Sequence, residues 1–275
     1  MPYVKQSRTY VDERSGRVAS SSVLEKIRAV YVPPGYTDVR FLINSKLLAT
    51  GIDSKGRTQY IYSNEHKRAR TNKRKETVLK VDKVISQIES FIRDNIRTSE
   101  CAVILSLIQL CNFRIGNDQN VKKYNHYGLT TLTSKHFHFG PRSCKIDFVG
   151  KKGVQNTSTV RCPKTVKSLK ELVRANKKHE KVFTVSAADV NDCLRPYGVT
   201  TKDLRTYNAN ITFIQKYFQL EDVKQALEET SECFHNTKTV LKNSYIVPDV
   251  FEACKNDLLS SHSKDTKRVL LKILK

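Results

Sequence analysis

Three regimes of hydrophobic patterning follow one another along the chain. The runs Val39-Arg40-Phe41-Leu42-Ile43, Leu47-Leu48-Ala49-Thr50 and Thr58-Gln59-Tyr60-Ile61-Tyr62 are short and rich in β-branched and aromatic residues, with Asp53-Ser54-Lys55-Gly56 as turn chemistry before the last. They predict a small antiparallel β domain over residues 23–76. Residues 1–22 are polar, end in Ser20-Ser21-Ser22 and show no sustained periodicity, which predicts a flexible lead-in. From Thr77 the period changes. Val81, Val84, Ile85, Ile88, Phe91, Ile92 and Ile96 recur at helical spacing, the mark of an amphipathic helix. Cys101 to Leu110 is apolar nearly throughout and predicts a core helix that delivers Arg114 beyond its C-terminal end.

Residues 129–165 return to strand patterning. Lys145-Ile146-Asp147-Phe148-Val149 and Thr157-Ser158-Thr159-Val160-Arg161 flank Gly150-Lys151-Lys152-Gly153, a glycine-bracketed hairpin tip. Helical spacing resumes from Pro163, with segments near 165–175, 186–195, 202–218, 221–233 and 265–274 and with Ser186 and Thr201 as N-caps. The expected fold class is α+β. A small antiparallel β domain precedes a larger, mainly helical domain over residues 77–275 that contains a β-hairpin.

Composition narrows the partners. The 275 residues carry a formal net charge of +22, and such an excess favours polyanions, with nucleic acid as the default partner. Hydrophobic residues make up 39% of the chain, so it is a folded protein and not a basic tail. The run Lys67-Arg68-Ala69-Arg70-Thr71-Asn72-Lys73-Arg74-Lys75 fits a nuclear-import signal, a phosphate-contacting segment or an interdomain strap. Phosphate contact is favoured, because a tyrosine-bearing hairpin immediately precedes it. The seven cysteines include no C-x-x-C pair, which points to free thiols in a reducing compartment. The first residues lack an apolar signal region, and no run approaches the ~18 apolar residues of a membrane span. An intracellular soluble protein, or one packaged in a particle, is expected.

The chemistry that a basic chain can run on a phosphodiester without a metal has three requirements. A nucleophile must keep the bond energy in a covalent intermediate. Positive charge must meet the non-bridging oxygens in the transition state. An acid must protonate the departing oxygen. A tyrosine phenol becomes nucleophilic when cations depress its pKa from about 10. Guanidinium forks suit phosphate oxygens, and a lysine among other cations releases its proton readily. Tyr245, Arg114, Arg205 and Lys151 can fill these roles. No magnesium-binding carboxylate cluster and no P-loop is seen in the sequence, so chemistry without ATP or divalent metal is expected. Taken singly, each of these cations reads better as a solvated surface charge.

Several separate motifs tie them together. They are Pro33-Pro34-Gly35-Tyr36-Thr37-Asp38-Val39, Ala49-Thr50-Gly51-x-Asp53-x-Lys55-Gly56-Arg57-x-Gln59-Tyr60-x-Tyr62, Arg114-Ile115-Gly116-Asn117 with Tyr127-Gly128-Leu129-Thr130-Thr131-Leu132, Phe148-Val149-Gly150-Lys151, Lys202-Asp203-Leu204-Arg205-Thr206-Tyr207 and Ser244-Tyr245-Ile246-x-Pro248. In these the chain resembles the compact type IB DNA topoisomerases of poxviruses and bacteria, from about Pro33 to about Cys254. The resemblance implies a C-shaped clamp closing around duplex DNA, and a monomer that relaxes supercoils of both signs through a 3′-phosphotyrosyl intermediate. It makes Tyr245 the nucleophile, Arg114 and Arg205 the ligands of the scissile phosphate, and Lys151 the general acid to the 5′ oxygen. It places Lys202, Tyr60, Tyr62 and Arg70 at DNA-contacting positions.

One position departs from the poxvirus pattern. Poxvirus members carry Gly-His-Thr with the histidine nine residues before the tyrosine, where this chain has Asn236, with His235 ten before. Many bacterial and some giant-virus members carry Asn-Thr there. The resemblance therefore gives the phosphate-contact role to Asn236, with His235 as the alternative, since an amide can donate to a phosphate oxygen as an imidazole N–H does. Tyrosine recombinases share the arginines and the terminal tyrosine but usually have His-x-x-Arg where this chain has Lys202-x-x-Arg205. A recombinase and an inactive DNA-binding relative remain the alternative functions. The lysine-rich composition and free cysteines point to a large DNA virus, and so to the virion and host cell, with the nucleus as alternative.

Overall fold

The computed structural model describes residues 2–43, 46–176, 181–259 and 265–275. The chain is α+β and divides into two compact units, Met1–Lys73 and Arg74–Lys275. In the first unit β1 (Tyr3–Gln6) and β2 (Thr9–Asp12) form a hairpin, α1 (Ser21–Arg28) follows, and β3 (Thr37–Phe41), β4 (Leu47–Ile52) and β5 (Thr58–Tyr62) complete an antiparallel sheet of order β2-β1-β3-β4-β5. The flexible lead-in expected over residues 1–22 is thus corrected, with Met1 outside the described residues. Its polar strands persist because β1 pairs on both sides, Val4 opposite Val11 and also opposite Arg40. The ladder satisfies backbone groups that the weak side-chain alternation did not advertise. Ile27 of α1, Phe41 and Ala49 form the small core, and Tyr10 meets Phe41 edge-on at 5.5 Å.

The β4–β5 turn is closed by one carboxylate. Asp53 accepts from the backbone of Lys55 and Arg57 and from the side chains of Arg57 and Gln59. The Arg57 hydrogen bonds hold its carboxyl well below the usual carboxylate range. Gly56 takes φ +69°, which only glycine adopts freely. The Asp-Ser-Lys-Gly-Arg-x-Gln part of the hairpin signature is therefore turn chemistry.

Helix α2 (Asn64–Asn95) is 32 residues long, and the division between units falls inside it. The basic run 67–75 lies in its N-terminal part and is helical. Its C-terminal part buries Val78, Val81, Ile85, Ile88 and Ile92, the face expected from their spacing.

The second unit is built around α3 (Glu100–Cys111), apolar on every side and buried nearly throughout. Ser99 caps its start, and Asn112 ends it in the left-handed conformation at φ 54°. Around it run α4 (Asp118–Tyr124), an antiparallel sheet of β6 (Phe137–Phe139), β7 (Cys144–Val149) and β8 (Gln155–Val160), then α5 (Pro163–Ala175), α6 (Ala187–Leu194) and α7 (Thr201–Leu220). Helices α8 (Val223–Cys233), α9 (Lys238–Ser244), α10 (Pro248–Lys255) and α11 (Thr266–Leu274) complete the unit. Ser186 caps α6 as expected. The cap of α7 is corrected from Thr201 to Thr200, which forms a capping box with Asp203. In the Lys-Asp-Leu-Arg motif, then, the aspartate fixes the helix start and so the angle at which Arg205 enters.

Candidate active site

Arg205 projects from the first turns of α7 into the core and is 4% exposed. Its Nε donates to the carbonyl of Asn112 at 2.8 Å, its Nη1 to the Tyr245 hydroxyl at 2.7 Å and its Nη2 to the carbonyl of Phe234 at 3.4 Å. One guanidinium thereby joins the end of α3, the end of α8 and the tyrosine. Burial, and after it the nearby Arg114 charge, lowers its pKa to about 10, opposed by the Tyr245 oxygen. It stays charged at neutral pH.

Tyr245 lies just past α9 and is 7% exposed. Burial alone would raise the phenol pKa. The charges of Arg205 and Arg114, the Arg205 hydrogen bond and the charge of Lys202 outweigh it, and the net shift is downward. Lys202 itself is exposed in the first turn of α7.

Arg114 is set by backbone packing. Gly128 lies so close to the Arg114–Gly116 turn that a Cβ there would stand 2.5 Å from the Gly116 Cα. The amides of Leu129 and Thr130 donate to the carbonyls of Arg114 and Ile115 at 2.9 and 2.7 Å. The separate Arg-Ile-Gly-Asn and Tyr-Gly-Leu-Thr-Thr-Leu motifs are one interlocked turn. From it the Arg114 Nη2 donates to Asn236 Oδ1 at 2.5 Å.

Asn236 and His235 form the turn between α8 and α9, with His235 at φ 52°. The imidazole stacks on Phe113 at 5.1 Å. Burial, followed by the Arg205 and Arg114 charges, lowers its pKa to about 4 against a backbone hydrogen bond at Cys111, so it is neutral at physiological pH. Among the described residues, His235 Nε2 and Asn236 Nδ2 are buried atoms without a hydrogen-bond partner. The amide oxygen of Asn236 is engaged by Arg114, which leaves its N–H groups as donors.

Lys151 sits in the turn after β7, exposed, and its side chain makes no hydrogen bond or ion pair among the described residues. The turn is itself well fixed. Gly150 donates to the carbonyl of Val154 at 2.7 Å, and a Cβ on Gly150 would collide with the buried Asn156 amide at 2.4 Å. The Tyr127 amide donates to the Val149 carbonyl at 2.8 Å, which ties this hairpin to the Arg114 block. Arg114 and Lys151 line one cleft of about 440 Å³, together with Tyr124, His126 and Tyr127. The fold thus forms two hydrogen-bonded pairs, Arg205–Tyr245 and Arg114–Asn236, near enough for the Arg114 charge to act on Tyr245, and brings Lys151 to the same cleft as Arg114. Tyr60, Tyr62 and Arg70 belong to the first unit, where Tyr60 and Arg70 are exposed and the Tyr62 ring lies tilted against His66 with centroids 4.9 Å apart. Among the described residues, no three His, Cys, Asp or Glu side chains gather as a metal site.

Comparison with known proteins gives the family. The family profile described as eukaryotic DNA topoisomerase I, catalytic core, matches residues 63–269. The chain belongs to this family. It is 29% identical over 276 residues to DNA topoisomerase 1B of Vaccinia virus (strain Copenhagen), covering 91% of this chain and 88% of the relative. DNA topoisomerase 1B of Acanthamoeba polyphaga mimivirus is 25% identical over 291 residues, 92% of this chain and 87% of the relative. DNA topoisomerase 1 of Drosophila melanogaster is 27% identical over 218 residues, 72% of this chain but 22% of that protein. The protein is an enzyme of the type IB topoisomerase class, and its viral relatives are consistent with an origin in a large DNA virus. Among the described residues, no helix is long and apolar enough to cross a membrane.

Sequence reasoning missed one residue that serves this site. Asn210, fully buried on α7, donates to the Tyr245 carbonyl at 3.0 Å and accepts from the Val247 amide at 2.9 Å, which anchors the tyrosine's backbone. It stands five positions beyond Arg205 in a helix, a spacing that marks no face, and a lone asparagine carries no periodic signal.

Proposed function

We propose that this topoisomerase relaxes positive and negative supercoils by transient cleavage of one strand of duplex DNA, without ATP or divalent metal. Tyr245 attacks the scissile phosphate and forms a 3′-phosphotyrosyl bond. The 5′ oxygen leaves as a hydroxyl with the proton that Lys151 supplies. Torsion turns the freed end, and attack by the 5′ hydroxyl on the phosphotyrosine restores the strand and releases the phenol. Arg114, Arg205 and the Asn236 amide meet the non-bridging oxygens. Lys202, Tyr60, Tyr62 and Arg70 contact the duplex, held in a clamp by a monomer. The protein acts in solution inside the host cell and is carried in the virion.

The observation that carries this reading is the Arg205–Tyr245 hydrogen bond at 2.7 Å in a buried setting. A guanidinium on the phenol oxygen favours the phenolate and stands where negative charge builds as a phosphate arrives. Both the Asn236 amide N–H groups and His235 Nε2 are without a partner, but the Asn236 amide also bonds to Arg114 while the His235 ring stacks on Phe113, which supports Asn236 in this role.

The test is relaxation of supercoiled plasmids of both signs in EDTA without nucleotide, run beside Tyr245→Phe. The wild-type protein relaxes both plasmids, while Tyr245→Phe binds DNA and leaves both supercoiled. A requirement for magnesium or ATP, or relaxation by Tyr245→Phe, would overturn the reading.

A further inference from the structure

The nucleophile's backbone is held from a second side by a residue outside the site described so far. Helix α9 has seven residues, too few to be stable alone in water. Its last carbonyls have no partner within the helix, as at any helix end. Arg74 of α2 supplies one. Its Nη2 donates to the carbonyl of Asn243 at 2.9 Å, and its Nη1 donates to the carbonyls of Ile246 and, at 3.4 Å, of Lys242. A single guanidinium so spans the carbonyls on both sides of Tyr245, and its charge complements the negative end of the helix. The next residue adds a second tie, Lys75 to Asp249 of α10 at 3.1 Å.

We infer that Arg74 is a positioning residue that holds the Tyr245 segment in register for attack, a role that rests on Tyr245 being the nucleophile. In-line attack demands placement within a fraction of an ångström, and the tyrosine's own helix is too short to enforce it. Asn210 fixes the carbonyl of Tyr245 and the amide of Val247, while Arg74 fixes the carbonyls of residues 242, 243 and 246. The two grips touch different atoms of one turn. A lysine at position 74 keeps the charge but lacks the fork and reaches fewer of the three carbonyls. Arg74 also belongs to the basic run 67–75, which gives that run a task beside phosphate contact: it carries the grip on the tyrosine segment.

The experiment compares wild-type protein with Arg74→Ala and Arg74→Lys. It measures DNA affinity at several salt concentrations, the cleavage rate at saturating DNA, and hydrogen exchange at the amides of Tyr245, Ile246 and Val247. Arg74→Ala is expected to lose about 10- to 100-fold in the saturated cleavage rate, as misplacement by about an ångström does. Its affinity stays within about twofold, its salt dependence is unchanged, and exchange speeds up at these three amides. Arg74→Lys recovers part of both losses, and it carries the test if the alanine variant does not fold. A weaker affinity with a shallower salt dependence, at an unchanged saturated rate, would make Arg74 a phosphate ligand and overturn the inference. Unchanged exchange and rate would overturn it as well. Absence of an adduct in the wild-type protein strikes the proposed function instead, and the exchange measurement still decides whether the grip exists.

Discussion

The two halves of the active site are built on opposite principles. On one side, Tyr245 and Arg205 are buried at 7% and 4% exposure and tied to α3, α7, α8 and each other by hydrogen bonds. On the other, Lys151 stands exposed at the tip of a turn whose backbone is rigid while its side chain is free among the described residues. On the proposed mechanism the nucleophile half is assembled before DNA arrives, and the charges of Arg205, Arg114 and Lys202 hold the Tyr245 phenol pKa down against the cost of burial. On the same proposal, Lys151 takes its last organising contacts from the substrate. An exposed ammonium is strongly hydrated, and a bound phosphate would displace part of that water. Stability and chemistry should therefore separate between the halves: injury to the first should cost both, injury to the second should cost chemistry alone.

The largest effect is expected at Arg205. Arg205→Lys keeps the charge but not the fork that joins Asn112, Phe234 and Tyr245. Cleavage should fall by about 10²–10³-fold or more, as for loss of a preorganised donor to a developing oxyanion. Unfolding titrations should show a loss of about 1–3 kcal/mol from buried carbonyls left without a donor. An unchanged stability would break the comparison at its stronger side. Lys151→Ala comes next. Its single-turnover cleavage should drop by about 10²-fold with an unaltered melting temperature. Replacing the leaving 5′ oxygen by sulfur, which departs without needing a proton, should restore most of the rate. A sulfur substrate that gains nothing from the substitution would remove the acid role from Lys151.

The Asn236 and His235 pair sharpens the boundary between the halves. Asn236→Ala should slow cleavage about tenfold or more beyond His235→Ala, because only the amide combines an Arg114 contact with donors left for phosphate. Equal or reversed losses measured in one single-turnover series would return the role to the histidine. The last prediction concerns stability against pH. The His235 pKa is lowered from 6.5 to about 4, so the folded state favours the neutral ring. The unfolded chain then binds the proton first, and this contribution is complete above pH 6.5 and lost as the pH falls towards 4. Melting temperatures of wild type and His235→Gln should diverge above that window and converge below it. A constant difference across the range would show that the ring is not held neutral.

How far the sequence anticipated this arrangement depended on the kind of signal. Long periodic segments were legible: the buried face of α2 from Val81 to Ile92, the all-apolar α3 and the β7–β8 hairpin appear where the pattern put them. Strands β1 and β2 were hidden because such four-residue strands hardly alternate, and because β1 finds its second partner in β3, with Val4 opposite Arg40, and not only in the adjacent β2. Helices α4 and α9, at seven residues each, were too short and too polar to show a face. The basic run 67–75 looked like an isolated segment because charge masks helical spacing, and within a long helix it needs no apolar stripe of its own. In the candidate site, the motifs named residues that the fold brings together. What they could not display was burial: nothing in Leu-Arg-Thr announces an arginine at 4% exposure, since that depends on carbonyls supplied by Asn112 and Phe234, far away in the chain. Asn210 and Arg74 escaped for the same reason, being single polar residues whose role is made by their partners.

The central claim is that the buried phenol of Tyr245 becomes bonded to DNA. A duplex designed to lose the downstream fragment after cleavage can be incubated with the protein in EDTA, denatured and digested with protease and nuclease. Mass spectrometry of the remaining peptides then locates the nucleotide. The account predicts a 3′-phosphonucleotide on the peptide that contains Tyr245 and none in Tyr245→Phe. An adduct on another residue, or the same adduct in the phenylalanine variant, would contradict it.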